Sequence, residues 1–321
     1  VVISRTPYRI SLLGGSSDYP TWLKNHSGMV ISTTIDKHLY VSVRKYPQLF
    51  GVKYRIVWSH VENATSCEEI LHPVVRAALP FCGIQDGVEI HYQGDLPSKS
   101  GMGSSSSFTV GLLNALHTYS GKQLGKEELA REAMWLEQDI LKENVGCQDQ
   151  VAAAYGGMNV IQFHNSGFEV EKFNIDSDEL QRWLMLFYLG MGRMSSTITK
   201  ELVENIPYRE FEINSIIQQA IEGRKFLENG EWEEFGILLD EMWTCKKRLA
   251  KRVSNPDIDR LYASAIAKGA LGGKLLGAGG TGFFLLCVPP ERQDAVKLAL
   301  SHLTLVPFKF EGEGSKILLE E

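Results

Sequence analysis

The sequence has no long apolar run. Its longest late stretch, Phe283–Pro290, falls far short of the roughly 18 residues that a membrane-spanning helix requires. The opening Val1–Ile10 has no apolar segment ahead of a small-residue cleavage site, so no secretory leader is expected and a cytoplasmic location is. Cysteine is sparse: Cys67, Cys82, Cys147, Cys245 and Cys287 are scattered, odd in number and without CxxC spacing. That excludes a disulfide framework and a thiolate zinc site, and fits reduced thiols. Basic excess is missing too. Lys and Arg number 33 against 39 Asp and Glu, a formal charge of −6, so neither a nucleic acid nor an anionic membrane is an expected partner. No Walker A loop, internal repeat or low-complexity linker occurs.

What is present is an ordinary globular composition, 44% hydrophobic and 22% charged, over 321 residues, enough for two domains. Val1–Leu13 alternates and is β-branched, Gly14–Pro20 breaks the pattern, and Gly28–Tyr46 resumes it. Gly87–Pro97 reads as another strand, followed by helices over Phe108–Ser120 and Lys126–Glu143 and by strands within Gly156–Phe173. The second half carries a strand over Arg182–Gly190 and helices over Tyr208–Glu228, Glu231–Val253, Pro256–Lys268 and Arg292–Leu303. A strand follows the glycines of Gly272–Gly282, and two strand-like pieces close the chain. This irregular alternation predicts two fused α+β domains, residues 1–170 and 171–321, not a doubly wound sheet.

Six of the seven residues Gly101–Ser107 are glycine or serine, immediately before an apolar helical run. Glycines let backbone approach a ligand closely, a helix start offers unpaired N–H groups and a positive dipole end, and serines add hydroxyl donors. The stretch therefore suits phosphate binding, the plainer alternative being a serine-capped helix. Gly277, Gly279 and Gly282 also match the dinucleotide pattern G-x-G-x-x-G, but a strand follows them where that fold needs a helix, which argues against a dinucleotide site.

Three segments, in order, resemble the GHMP kinase family of galactokinase, homoserine kinase, mevalonate kinase and phosphomevalonate kinase. They are "PYRISLLGGSSDY" (Pro7–Tyr19), "PSKSGMGSSSS" (Pro97–Ser107) and "KLLGAGGTGFF" (Lys274–Phe284). The resemblance implies a two-domain GHMP kinase fold: an N-terminal ribosomal-protein-S5-like domain, a C-terminal ferredoxin-like domain, and a cleft between. It also implies ATP and Mg2+ as cofactors. Ser100, Gly101, Met102, Gly103, Ser104, Ser105 and Ser106 would wrap the ATP phosphates, and Ser105 with Glu137 would hold the metal. Asp149, in "GCQDQ", would be the catalytic base with Arg9 beside it. Gly15, Ser16, Asp18, Gly279 and Gly280 would face the acceptor. Each has a plainer alternative: Glu137 a helix charge paired with Lys142, Asp149 a helix cap, Asp18 a turn residue.

Gly15 and Ser16 replace the Glu-His of galactokinases. The segments "TTIDKHLYVSV", "LGMGRMSS" and "LLDEMWTCKKRL" look most like the heptose kinase branch, which phosphorylates D-glycero-D-manno-heptose 7-phosphate at C1. Fucokinase-like domains share the Gly-Gly feature, so a fucose or uronic-acid kinase is the alternative, and a non-catalytic sugar- and ATP-binding protein a further one. A distal phosphate on the acceptor would need a cation; Arg193, the cluster Lys246–Lys247–Arg248, and Lys37 with His38 are the candidates. Expected partners are thus ATP and a sugar phosphate, with a homodimer left open.

Overall fold

The computed structural model describes the whole chain except positions 48, 50, 99 and 191–194. Two β-sheets organise it. The larger sheet runs, edge to edge, Lys316–Glu320, Val2–Leu13, Gly28–Lys45, Val88–Gly94, Tyr54–Val57 and Val61–Ala64. Val2–Leu13 is buried over its last eight residues because both faces are covered.

The strand Gly28–Lys45 is long enough to serve two sets of neighbours. Leu39–Lys45 pairs with Val88–Gly94, while Gly28–Ser32 pairs with Asn159–His164, which in turn pairs with Gly167–Lys172. Between those halves the register against Val2–Leu13 jumps from Pro7↔His38 to Tyr8↔Ile35. Asp36 and Lys37 bulge out there, and such a bulge bends a strand and re-aims the side chains beyond it. The helix Ser104–Tyr119 lies along both central strands, buried on nearly every side, with Lys126–Trp135 and Gln148–Tyr155 packed against it.

The smaller sheet is antiparallel throughout, in the order Thr304–Leu305, Leu184–Tyr188, Phe283–Cys287 and Gly272–Leu275. Trp232–Leu249 packs on Gly272–Leu275 and beside Glu210–Asn229, which also reaches the two central strands of the large sheet. The expected α+β architecture is therefore the observed one. The two halves do not part cleanly at residue 170, however. Phe310–Glu311 and Lys316–Glu320 return to pair with Gly28–Lys45 and Val2–Leu13, so the segment 171–321 contributes to both sheets.

Several elements differ from the sequence expectation. The strand placed over Arg182–Gly190 begins only at Leu184, because Ser177–Trp183 is helical, with the Asp176 carboxylate accepting from the Glu179 N–H at 3.0 Å. The helix placed over Lys126–Glu143 leaves α geometry after Trp135 and passes through one π turn, Leu136–Ile140. Short elements carry no sequence signal of their own: the strands Tyr54–Val57 and Val61–Ala64 and the helices Pro73–Phe81 and Ser195–Asn205.

Gly223, on the helix Glu210–Asn229, is pressed between the strand Val2–Leu13 and the helix Trp232–Leu249. A Cβ there would lie 2.6 Å from both Leu13 Cδ1 and Leu238 Cδ2. Gly223→Val is expected to cost about 1–3 kcal/mol by overpacking, read as a lower urea midpoint; an unchanged midpoint would show that the helix can move aside.

Candidate active site

A cleft of about 540 Å³ opens where the phosphate-loop candidate, the strand Val2–Leu13 and the smaller sheet's helices meet. On a strand, residues two apart share a face, so Arg9 and Ser11 both line this cleft. Arg9 is 3% exposed. Its Nε and Nη2 donate to Asp149 Oδ1 and Oδ2 at 2.7 and 2.9 Å, and its Nη1 donates to the Gly101 carbonyl at 2.7 Å. This forked geometry fixes a carboxylate in both position and plane. Asp149 sits in the first turn of Gln148–Tyr155 and lines the cleft; its side chain remains a quarter exposed.

The helix Ser104–Tyr119 starts at the same place. Gly103 is its N-cap at φ +75°, and a Cβ there would come within 3.1 Å of Arg9 Cγ. Glycine is thus required by conformation and by space together. Gly101, Gly103, Ser104, Ser105 and Ser106 line the cleft, as expected of a phosphate loop. Two of the seven expected residues do not. Ser100 is buried with its hydroxyl donating to the Pro97 carbonyl at 2.7 Å, and the Met102 side chain is buried in the core. In the first helical turn the N–H groups of Ser105 and Ser106 have no carbonyl within the helix to meet, which makes this end an anion site.

Glu137 lies behind that wall. It is 0% exposed and does not line the cleft; its carboxylate accepts from Ser106, Thr109 and Gln150. Glu137 falls on the buried face that Ala130 and Ala133 share, so the plainer alternative, a helix charge paired with Lys142, is not found either, and Lys142 instead lines the cleft at φ +55°. Direct ligation by Glu137 alongside Ser105 is therefore not the arrangement found: Ser105 is exposed to the cleft, and Glu137 reaches it only through Ser106. Burial drives the Glu137 carboxyl up to about 7, against the pull of its three donors.

Gly15, Ser16 and Asp18 line the cleft as expected. Asp18 is 1% exposed, however, and its oxygens accept from Ser16 N at 3.2 Å, Gln148 N at 3.0 Å and Gln148 Nε2 at 3.3 Å. Burial raises its carboxyl above the usual range, opposed by the Gln148 N–H, with the nearby Asp149 charge raising it further. Its visible work is to position Gln148, next to the base.

Gly279 and Gly280 do not line the cleft. A Cβ on Gly279 would lie 2.6 Å from the Val253 carbonyl, and Gly280 N donates to that carbonyl at 2.8 Å. Gly277 and Ala278 line the cleft in their place. Arg193 lies outside the described residues. Of the other cationic candidates, Lys37 pairs with Asp36 at 3.1 Å, and His38 lies between Asp95 and Glu311 away from the cleft. Lys247 and Arg248 line a separate shallow pocket, but Lys246 turns inward to the cleft.

Sequence alone gives no cleft role to Ser11, Gln148, Lys142 or Lys274, all of which line it. Ser11 was legible as the strand neighbour of Arg9 on the same face. Lys274, a lysine inside the apolar strand Gly272–Leu275, carried the strongest missed signal, because lysine is almost never fully buried without a reason.

The buried Glu137 gives a pH signature. Its folded pKa is raised, so its stabilising contribution is fully present below the unfolded carboxyl range and is lost as pH climbs through about 7. Glu137→Gln is expected to flatten the fall of Tm between pH 5 and 8, measured by thermal melts of wild type and variant side by side. Parallel curves would mean that the carboxylate stays ionised throughout.

Comparison with known proteins agrees with this geometry. The family model "GHMP kinases N terminal domain" matches residues 69–157 and "GHMP kinases C terminal" matches residues 224–303, together more than half of the chain. The chain is 27% identical to a D-glycero-alpha-D-manno-heptose 7-phosphate kinase of Campylobacter jejuni, over 98% of this chain and 97% of the relative. It is 25% identical to a galactokinase of Pyrococcus furiosus, over 96% and 95%. A solved D-glycero-D-manno-heptose 1-phosphate kinase from Bacteriodes thetaiotaomicron superposes with TM-score 0.80 at 24% identity, covering all of both chains, a likeness of fold. With both domain models matched in order across a cleft that joins a helix-start phosphate loop to an arginine-held aspartate, this chain belongs to the GHMP kinase family and is a kinase.

Proposed function

We propose that this kinase transfers the γ-phosphoryl group of ATP to the C1 hydroxyl of a sugar phosphate, namely D-glycero-D-manno-heptose 7-phosphate. The observation that carries the reading is Asp149, held at the cleft by the buried Arg9 beside the open start of Ser104–Tyr119, one carboxylate and one anion site in a single cleft. The substrate assignment is supported by the full-length relative from Campylobacter jejuni and by Gly15 and Ser16 at the cleft wall.

The chain's own groups divide the work. Backbone N–H groups at the helix start, with the Ser104 and Ser105 hydroxyls, bind and orient the nucleotide's phosphates. Arg9 keeps Asp149 in one plane, aimed at the cleft, so that little reorganisation is needed when the acceptor arrives. Asp149 orients the acceptor hydroxyl and takes its proton late, as suits a carboxylate facing a much weaker acid. Asp18 and Gln148, bonded to one another, hold the acceptor wall beside it.

The residues fit a Mg2+ ion, because such an ion is held chiefly by phosphates and waters and asks few hard oxygens of the protein. Ser105 would supply one on the cleft side, with Glu137 behind Ser106 as the compensating charge. When bound, the ion would neutralise charge on the phosphates.

Asp149→Asn is expected to lower kcat by about 10²- to 10⁴-fold with the KM for ATP nearly unchanged, measured by coupled ADP release. Wild-type turnover by this variant would remove Asp149 as the base. The same assay across heptose 7-phosphate, mannose, fucose, galactose and glucuronate should show the highest kcat/KM for the heptose phosphate. A preference for fucose or glucuronate would replace the acceptor and leave the kinase reading intact.

A further inference from the structure

The cleft contains more positive charge than its carboxylates answer. Lys246 and Lys274 both line it, at 8% and 3% exposure. Lys246 Nζ donates to the Leu275 carbonyl at 2.7 Å and the Gly277 carbonyl at 2.6 Å, and Lys274 Nζ donates to the Leu12 carbonyl at 2.8 Å. Neither ammonium meets a carboxylate among the described residues. An ammonium has three N–H donors, so the pair retains uncommitted donors, one on Lys246 and two on Lys274. Buried cations are normally paired, or else they give up their charge. Burial, aided by the Arg9 charge, pushes Lys246 down to about 7; burial, then Lys246 and Arg9, push Lys274 well below the usual lysine range. A bound anion would restore both charges.

The location narrows which anion. Lys274 bonds the carbonyl of Leu12, next in the strand to Ser11, whose hydroxyl is buried, lines the cleft and has no partner among the described residues. That hydroxyl lies 3.2 Å from where a Gly15 Cβ would be, so it belongs to the acceptor wall of Gly15, Ser16 and Asp18. Gln148 Oε1, on the same wall, is likewise buried without a partner among the described residues. The nucleotide's phosphates would take the helix start, where Gly101, Gly103 and Ser104–Ser106 line the cleft.

We infer that Lys246, Lys274 and Ser11 hold the acceptor's own phosphate monoester and make the enzyme selective for a phosphorylated sugar over the free sugar. The inference deepens the proposed function and rests on its reading of the acceptor as a sugar phosphate.

The test compares heptose 7-phosphate with unphosphorylated heptose in the wild type, Lys246→Gln, Lys274→Gln and Lys246→Arg. The wild type should favour the phosphorylated acceptor by about 100-fold or more in kcat/KM, the order expected when a buried charge loses its partner. Each Gln variant should cut that ratio at least about tenfold through the KM of the phosphorylated acceptor. Turnover of the free heptose should fall by a smaller factor than that of the phosphorylated acceptor, and the urea midpoint of each variant reports whether the fold is intact. Lys246→Arg, with its charge kept, should recover part of the ratio. Equal losses on both acceptors, falling on kcat, would overturn the inference and assign the lysines to the transferred phosphoryl group or to the fold. A wild type that turns over both acceptors equally would sink the sugar-phosphate reading itself, and the lysine assignment with it.

Discussion

Arg9 binds three things at once, and the site depends on that. Its guanidinium grips Asp149 with two donors and the Gly101 carbonyl with a third, while its own backbone N–H donates to the Met102 carbonyl at 3.1 Å. One residue of the large sheet thereby fixes Asp149, the loop at Gly101–Met102 and the distance between them. The geometry leaves room for nothing else, since Gly103 is pressed against Arg9 and Asp149 together. Loss of Asp149 would leave the buried Arg9 guanidinium with the Gly101 carbonyl and no carboxylate, whereas Asp149, a quarter exposed, would keep some solvent on loss of Arg9. Catalytic order and local stability therefore share a single interaction.

The late glycine cluster works on the same loop from the other side. Its match to a dinucleotide fingerprint has a different physical cause. A Cβ on Gly277 would lie 2.5 Å from the Gly101 Cα, and one on Gly101 or Gly282 would overlap the Leu276 or Ser100 carbonyl. These glycines allow two backbones to lie against each other, so the smaller sheet buttresses the phosphate loop directly. Lys274, bonding across to Leu12, is a second tie between the sheets. A substitution among these late glycines can thus shift the loop at Ser100–Gly103.

Much of this was readable from sequence, for identifiable reasons. The strands Val2–Leu13 and Gly28–Lys45 announce themselves by alternation and β-branching, and the phosphate loop by its composition. Arg9, Asp149 and the serines come together as the motif order implies. What stayed hidden depends on tertiary context. Four-residue strands such as Tyr54–Val57 carry too little period to stand out. Glu137 follows Ala130 and Ala133 on the buried face of its helix, but its three donors, Ser106, Thr109 and Gln150, come from other helices, which no helical wheel can show. Within the candidate cluster Lys246–Lys247–Arg248 the sequence does not say which member meets the cleft; Lys247 and Arg248 face elsewhere while Lys246 turns inward. Gly279 and Gly280 shared a motif with the cleft residues yet serve packing against Val253 and Ile198.

The strand that carries Arg9 acquires its outer neighbour only from Lys316–Glu320. Until Lys316–Glu320 is in place that edge stays unpaired, and an open edge invites pairing with foreign strands. Contacts spanning more than 300 residues also carry a high loop-closure entropy and come late in folding. Order around Arg9 is thereby coupled to a segment more than 300 residues downstream, and a chain in which that segment is undocked would expose the edge of the strand that carries Arg9.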